Sequence, residues 1–390
     1  MKIAYIDPGL STRKGHNASM VCEFDEALVR ERGHTLRVLC GAGLDRRWFQ
    51  DLHADLRPVF RIDGYARPGL GDLADPRLQT LLDAVVADLN SGGIDDCDAV
   101  LMPTTYPLHL RALAKLAPRL RKRRLVAGML LPSEFWSADA DGARRIDSLF
   151  IDSIDALSAD CDFLAYSETG TFRCGAQVVP LATMLPPLAT SSANQVQELA
   201  HASARPNGSE SQVIGFFGSP FVTKGFTLMV EAVHRLARTG AGPANRLCIR
   251  LPHGHEDLCS KLNQMAPWVD AQSRQTTNGE YLTEMSRVDA VWALYDPQEY
   301  RHKMSGIVPE AICLGKPLLI AEGCEAIHDF LERHAPGSFI AGSYAADTIG
   351  AVLDLDRAHW SHPSRCAAAH APLARQLKSM DRYLAVCGVN

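Results

Sequence analysis

Residues 214–226, with the sequence IGFFGSPFVTKGF, decide the fold of the second half of the chain. An apolar strand runs into a loop, and the pattern predicts that a helix opens near Lys224. Because the amino end of a helix carries partial positive charge, a lysine there is unfavourable unless an anion compensates. Backbone N–H groups and this lysine would together make a diphosphate site, and the alternative is a surface lysine lying over a helix start.

A second informative stretch is residues 295–311, YDPQEYRHKMSGIVPEA. Pro309 is tolerated only in the first turn of a helix, so the pattern predicts a helix start near Gly306 with Ser305 as its N-cap. Glu310 then lies one turn in, where a carboxylate can accept hydrogen bonds from both hydroxyls of a ribose. The alternative is an acidic residue that the helix dipole alone favours at this position. Basic residues just upstream could neutralise phosphate; they are Arg301 and Lys303.

In combination, the two stretches resemble the carboxy-terminal donor domain of GT-B glycosyltransferases of the family-4 type. The resemblance covers about residues 213–322 and is carried by Gly218…Lys224-Gly225, Ser305-Gly306…Glu310-Ala311 and Gly315-Lys316-Pro317. It implies that Lys224 contacts the donor diphosphate, that Glu310 holds the nucleotide ribose and that Tyr281 flanks the nucleobase.

Two positions depart from the family pattern. His302 stands where the family usually has a first glutamate near the donor sugar, and Ser219 stands where an arginine usually touches the diphosphate. Arg301 or Lys303 can supply the missing charge. These departures leave the identity of the sugar open.

The whole chain alternates apolar strands with helical stretches, which predicts parallel sheets covered on both faces. The predicted strands are Lys2–Asp7, Thr35–Cys40, Asp98–Met102, Leu125–Leu131, Asp162–Tyr166, Gln177–Leu181, Gln212–Gly218, Leu247–Leu251, Ala290–Ala293 and Pro317–Ala321, and the predicted helices include 17–32, 226–238, 280–286 and 307–314. A stretch of small and polar residues at 189–212 reads as a linker. We therefore predict an α/β chain with two Rossmann-like domains facing a cleft, the GT-B arrangement. The domains are 1–188 on the acceptor side and 213–358 on the donor side, and a helical segment, 359–390, returns to the first domain.

The acceptor is expected on the amino-terminal half. The loop after the first strand ends in Gly15, His16 and Asn17, where Gly15 allows close backbone approach and the other two cap the next helix. Glu134 and Trp136 follow another strand and offer a carboxylate and an aromatic face to a sugar. The alternatives are an ordinary polar turn and core packing of the aromatic ring.

Composition excludes several other classes of protein. The 390 residues carry 40 Lys+Arg and 45 Asp+Glu, a net charge of −5, which argues against a general nucleic-acid binder. No apolar run approaches the roughly 20 residues that span a bilayer, and residues 1–7 turn acidic too soon for a signal peptide. Eleven cysteines without a CxxC pair indicate a reducing cytoplasm. The chain has no GxGxxG after Asp7 and no GxSxG, and residues 253–256 (HGHE) read as a loop rather than a metal site.

We thus predict a bacterial, cytoplasmic glycosyltransferase of the hexosyltransferase type, active in polysaccharide biosynthesis, that uses a nucleotide-diphosphate sugar as co-substrate and no further cofactor. The resemblance implies retention of configuration and no metal. A glycan, lipid-linked or small-molecule acceptor is expected. The basic run at 119–124 is either a solvated helix end or a contact with lipid headgroups at the inner membrane face. Two rivals stay open, a nucleotide-sugar epimerase of the same fold and a non-catalytic sugar-nucleotide-binding module.

The predicted site residues fall into three groups. The catalytic residues are Lys224, Arg301 and Glu134, the donor-binding residues are Gly15, Gly218, Ser219, Lys224, Tyr281, His302, Lys303, Ser305, Gly306 and Glu310, and the acceptor-side residues are His16, Asn17 and Trp136.

Overall fold

The computed structural model describes most of the chain. The described residues are 1–11, 16–65, 76–137, 139–168, 170–174, 177–183, 211–239, 242–276, 278–354 and 380–389. The chain divides into two compact units, residues 1–189 with 379–390, and residues 190–378. Most of the predicted linker and residues 359–379 of the predicted returning segment lie outside the described residues.

Fifteen strands are described. They are β1 (Lys2–Asp7), β2 (Thr35–Gly41), β3 (Asp55–Phe60), β4 (Ala99–Met102), β5 (Arg124–Gly128), β6 (Asp162–Ser167), β7 (Thr171–Cys174), β8 (Gln177–Pro180), β9 (Ala182–Thr183), β10 (Val213–Phe217), β11 (Arg246–Leu251), β12 (Val269–Ser273), β13 (Ala290–Ala293), β14 (Leu318–Ala321) and β15 (Phe339–Gly342). The first unit holds a seven-stranded parallel sheet in the order β3-β2-β1-β4-β5-β6-β9. The second unit holds a six-stranded parallel sheet in the order β12-β11-β10-β13-β14-β15. The predicted α/β class with two parallel sheets is confirmed.

Helices connect these strands, as parallel pairing requires. They are α1 (His16–Phe24), α2 (Pro76–Gly92), α3 (Pro107–Leu116), α4 (Ser133–Trp136), α5 (Ala140–Asp160), α6 (Phe226–Thr239), α7 (Glu256–Met265), α8 (Asn278–Ser286), α9 (Pro297–Tyr300), α10 (Ile307–Cys313), α11 (Glu325–His334), α12 (Ala346–Leu353) and α13 (Met380–Cys387). A π-helical turn, Asp25–Arg30, extends α1, and short 3₁₀ turns lie at Arg46–Phe49, Ile94–Asp96 and Val222–Lys224. None of the described helices is long and apolar enough to cross a membrane.

One predicted strand has a different partner from the one expected. Gln177–Leu181 was expected in the parallel set, but β8 forms an antiparallel hairpin with β7. Only two residues separate β7 from β8 along the chain, and a parallel crossover needs about a dozen or more. The two-residue β9 that follows pairs with β6 and closes that edge of the sheet.

The sequence analysis missed five of the described strands, two of which are the short strands β7 and β9. The other three, β3, β12 and β15, are edge strands of the parallel sheets. In each of them, exposed or half-buried positions break the apolar run. The central strands β4, β13 and β14 are buried at every position and therefore gave clear apolar signals. Burial on both faces thus made these central strands easier to predict than the three edge strands.

The strand order reverses once in each sheet. The chain runs from β1 outward to β2 and β3 and then crosses to β4 on the other side, and in the second sheet it crosses from β12 to β13 in the same way. Such reversals open a crevice at the carboxyl ends of the two strands, where ligands of open α/β sheets bind. The carboxyl ends of β1 and β4, and of β10 and β13, are therefore the places to look for function.

Helix α13 packs on the first unit. The Tyr383 ring lies 5.6 Å from the Phe24 ring, and its hydroxyl lies 2.8 Å from the Tyr166 hydroxyl. The Arg124 guanidinium donates to the Cys387 carbonyl oxygen at 2.8 Å. Both tyrosines are buried, so this helix forms part of the core of the first unit.

We expect Tyr383→Ala to lower the free energy of unfolding by about 3–5 kcal/mol, since it removes a buried ring and leaves a cavity. Val386→Ala on the same helix is the matched control, because Val386 is exposed and should change stability by less than about 1 kcal/mol. Urea unfolding of the full chain measures both. Equal, small effects of the two substitutions would mean that α13 is not docked on this core.

Candidate functional site

The loop after β10 brings a glycine and a lysine together at the point where the second sheet reverses its strand order. Gly218 follows β10 with a φ of +115°, a conformation that favours glycine. A Cβ at Gly218 would lie 3.2 Å from Nζ of Lys224. The ammonium group therefore lies over a bare stretch of backbone, where a ligand can approach both.

Lys224 ends a 3₁₀ turn, Val222–Lys224, and α6 begins two residues later at Phe226. Between them, Gly225 adopts a left-handed φ of +73°, and a Cβ there would collide with the Leu294 carbonyl oxygen. The Trp292 indole N–H donates to the Lys224 carbonyl oxygen at 3.3 Å. The Lys-Gly pair is thus fixed against the end of β13, the neighbouring strand across the reversal.

Glu310 lies in the first turn of α10, but the predicted cap of that helix is wrong. Gly306 occupies the N-cap position without a side-chain hydrogen bond. The Ser305 hydroxyl instead donates to the Tyr295 hydroxyl at 3.3 Å and is buried. Glu310 is half-buried, and its Oε2 accepts a hydrogen bond from the Tyr281 hydroxyl at 2.8 Å. The hydrogen bond therefore places Tyr281 on α8 beside Glu310 on α10, whose carboxylate also lies near enough to Lys224 to interact with its charge.

Burial sets the electrostatics of the site. Desolvation raises the pKa of Glu310 to about 7, although the Tyr281 hydrogen bond and the Lys224 charge both act to lower it. Desolvation likewise lowers the pKa of Lys224, and the neighbouring charge of Lys303 lowers it further while Glu310 opposes the shift. Each group is driven toward its neutral form, as expected for charges removed from water. An anion bound at Lys224 would reverse that trend for the lysine.

The other predicted basic residues have carboxylate partners. Arg301 is exposed and donates twice to Glu325, at 2.8 and 2.7 Å. Lys303 is 7% exposed, lies 2.6 Å from Glu299 and has its Nζ 4.3 Å from the centre of the Tyr300 ring. Because Lys303 affects the pKa of Lys224, it lies close enough to share the electrostatic field of the site.

The two positions that depart from the family pattern are also partly covered. His302 is half-buried, with Nδ1 3.8 Å from Glu325. Ser219 is half-buried, and its carbonyl oxygen accepts from the Phe221 backbone N–H at 2.8 Å. Neither side chain adds a permanent positive charge beside Gly218.

The structure describes only part of the predicted acceptor side. Gly15 lies outside the described residues, as do the side chains of His16 and Glu134. Asn17 is buried and does not cap α1, which begins at His16, because its amide donates to Asp7 Oδ1 at 3.0 Å. Trp136 is buried against the Tyr106 ring, with ring centres 5.9 Å apart, and so presents no open face to a sugar.

Two residues that the sequence analysis missed, Asp7 and Tyr106, are hydrogen-bonded at the carboxyl end of β1, where the first sheet reverses its strand order. Asp7 ends β1 and accepts hydrogen bonds from Asn17, the Gly9 backbone N–H at 3.1 Å and the Tyr106 hydroxyl at 3.3 Å. Burial raises the pKa of Asp7 to about 7. The available signal was a carboxylate at the end of the first strand, whereas the Tyr106 contact joins residues 99 positions apart and leaves no local pattern.

The remaining charged motifs are engaged within the chain. In the basic run, Arg119 pairs with Asp95, Arg121 with Asp160, and Arg124 with Asp162, while Arg123 donates to backbone carbonyl oxygens. His253 lies 2.7 Å from Glu256 in the turn after β11. Among the residues that the structure describes, no group of three His, Cys, Asp or Glu side chains is placed to hold a metal ion.

Comparison with solved structures identifies the fold. Anabaena HepE in complex with UDP superposes with a TM-score of 0.61 at 14% identity, covering 99% of this chain and 98% of that one. An α,α-trehalose-phosphate synthase (UDP-forming) from Burkholderia xenovorans, in complex with glucose-6-phosphate, gives 0.58 at 13% identity, over 99% of both chains. Sucrose-phosphate synthase from Thermosynechococcus elongatus gives 0.55 at 12% identity, over 99% of this chain and 96% of that one. No protein-family model and no curated protein sequence matches the chain. The chain has the GT-B fold.

The pH dependence of stability should report the buried carboxyl of Glu310. Its pKa is about 7 in the folded protein against an ordinary value of 4.5, so ionisation destabilises the folded state. The wild type should therefore lose stability relative to Glu310→Gln as the pH rises from about 4.5 to about 7. At about 1.4 kcal/mol per pKa unit, a rise from 4.5 to about 7 gives a loss on the order of 3–4 kcal/mol.

Urea unfolding at several pH values measures this difference. Glu332→Gln is the control, since Glu332 is exposed on α11 and its substitution should follow the wild-type profile. Parallel profiles for wild type and Glu310→Gln would contradict the assigned burial of this carboxyl.

Proposed function

We propose that this protein is a glycosyltransferase that takes a sugar from a nucleotide-diphosphate donor bound at the second unit. The observation that carries the proposal is the meeting of Gly218, Lys224 and Glu310 where the second sheet reverses its strand order. An ammonium group over bare backbone suits a diphosphate, and a carboxylate nearby suits a ribose. Solved structures of the same fold include HepE with UDP and with UDP-glucose, which supports a uridine nucleotide as the first donor to test.

The chemical task is to stabilise the departing nucleoside diphosphate, whose negative charge grows as the glycosidic bond breaks. Lys224 supplies a positive charge in a partly desolvated position, where electrostatic stabilisation is strongest. Lys303 adds to the positive field, since it lies near enough to affect Lys224. We propose, on the resemblance to the family-4 type, that transfer of a hexose proceeds with retention and without metal.

The nucleoside half of the donor is assigned to Tyr281 and Glu310. Their hydrogen bond of 2.8 Å orients the carboxylate, and the Phe217 ring lies 5.7 Å from the Tyr281 ring in an edge-on arrangement. In this assignment the carboxylate accepts from the ribose hydroxyls, and the phenol lies beside the base. The acceptor, a glycan, lipid-linked or small-molecule alcohol, is assigned to the first unit.

A second candidate is a sugar-nucleotide-binding protein without turnover. It is favoured by Ser219, which brings no charge to the diphosphate, and by Arg301, whose guanidinium is already paired with Glu325. Release of nucleoside diphosphate, with or without a pool of acceptors, separates the two candidates. Nucleotide binding with no release would favour the binding protein.

We expect Lys224→Ala to lower turnover by about 100-fold or more while the fold stays intact. The loss follows from removing the cation that opposes the developing charge, a term worth several kcal/mol in a desolvated site. Nucleoside diphosphate release from the sugar nucleotide measures it. Lys261→Ala is the matched control, because Lys261 is exposed on α7. Near-normal turnover of a folded Lys224→Ala protein would remove Lys224 from the mechanism.

Glu310→Gln should weaken nucleotide binding by about 1.5–3 kcal/mol, the scale of a hydrogen bond to a charged group. The loss should be smaller for a nucleotide that lacks one ribose hydroxyl, because that ligand cannot use both carboxylate oxygens. Calorimetric titration with UDP and with its 2′-deoxy analogue measures both losses. Equal losses for the two ligands would show that Glu310 does not recognise the ribose.

A further inference from the structure

A cavity of about 360 Å³ lies on one face of the second sheet, away from Lys224. Its lining residues are Val213, Arg246, Leu247, Cys248, Arg250, Asp270, Gln272, Glu284, Arg287 and Val288. Val213 and Arg246 pair at the amino ends of β10 and β11, and Gly218 follows the other end of β10, so about 16 Å of extended chain separates this end of the cavity from the lysine site. The opposite end is nearer, because the Arg250 carbonyl oxygen accepts from the Gly218 N–H at 3.1 Å. The end of the cavity at Val213 and Arg246 is therefore separate from the candidate donor site.

Arg250 lines the cavity, and its side chain is only 14% exposed. Its Nε donates to Glu284 at 2.8 Å, and one Nη donates to Asp270 at 2.7 Å. The other Nη donates to the backbone carbonyl oxygens of Ile249 and Asp270. Every guanidinium nitrogen of Arg250 thus has a partner, which makes it a fixed structural group rather than a ligand-binding one.

Further guanidinium groups surround the same carboxylates. Arg274 and Arg287 both reach Glu284, at 3.2 and 3.1 Å. Arg246 is exposed and has no carboxylate within ion-pair distance in the part of the chain that the structure describes. The charged side chains that line the cavity are three arginines, Arg246, Arg250 and Arg287, and two carboxylates, Asp270 and Glu284. The cavity therefore carries an excess of positive charge.

We propose that this cavity binds a phosphorylated small molecule, with Arg246 and Arg287 holding its phosphate group. Guanidinium groups bind phosphate through paired N–H donors, and both of these arginines line the cavity. Gln272 adds an amide donor, and Val213 and Val288 supply an apolar wall for the rest of the ligand. The volume falls within the range of small-molecule sites. The site does not depend on the proposed function of the second unit.

Inorganic phosphate is the probe, titrated calorimetrically into the full-length protein against chloride at matched ionic strength. Because phosphate also suits Lys224, the titration is made in a Lys224→Ala background. We expect saturable binding there, weakened about tenfold or more by Arg246→Gln, the scale of one charge-assisted hydrogen bond. Arg246→Lys should give an intermediate affinity, since it keeps the charge but loses the paired donors.

Arg238→Gln, at the exposed end of α6, is the matched control and should leave phosphate affinity unchanged. Three results would overturn the proposal. They are no saturable binding in the Lys224→Ala background, the same affinity with and without Arg246, and equal weakening by Arg238→Gln. The first would place phosphate at the lysine site only, and the last would show unspecific attraction to surface charge. The effect of Lys224→Ala on turnover is measured in a separate experiment. A negative result of the phosphate titration therefore leaves the proposed transferase activity unaffected.

Discussion

The second unit depends on one close approach of backbone to backbone. Gly225 lies so near the Leu294 carbonyl oxygen that no side chain fits, and its left-handed φ suits only a residue without a Cβ. Around it, the Asp296 N–H donates to the Thr223 carbonyl oxygen at 2.9 Å. These contacts fix the loop after β10 to the end of β13. The position of Lys224 is thus set by its backbone neighbours, and its ammonium group remains available to a ligand.

Desolvation connects this geometry to chemistry. Tyr281, Glu310 and Lys224 come from three different connections of the sheet, and each is shifted toward its neutral form by burial. Held without a ligand, such groups cost the folded state free energy. A nucleotide that brings two hydroxyl donors and a diphosphate would offset that cost at both groups together. In the proposed donor site, the free energy lost by burying these groups would therefore be recovered when the nucleotide binds.

Sequence alone predicted what depends on local pattern and missed what depends on distant contacts. The central strand β14 reads LLIA and is buried throughout, whereas the edge strand β15 reads FIAG and is mostly half-buried. Ser305 looked like an N-cap because caps are local, yet its hydroxyl bonds Tyr295 across the loop. The Asp7–Tyr106 contact joins the end of β1 to the residue before α3, which only the folded sheet brings together. Local propensity cannot encode such pairings.

The ion pairs near Gly218 distinguish Lys224 from the other two cations, Arg301 and Lys303. Arg301 lies 2.7 Å from Glu325 and Lys303 lies 2.6 Å from Glu299, so a ligand that engages either must compete with a carboxylate. In the described residues, Lys224 has no carboxylate within ion-pair distance, although its Nζ lies 6.0 Å from the centre of the Tyr295 ring, so it can meet an anion without breaking an ion pair. In the proposed donor site Ser219 is uncharged, so Lys224 would be the main positive charge at the diphosphate, with Lys303 adding to the field from its ion pair with Glu299. A site built this way depends on Lys224 more strongly than one in which both charges are present.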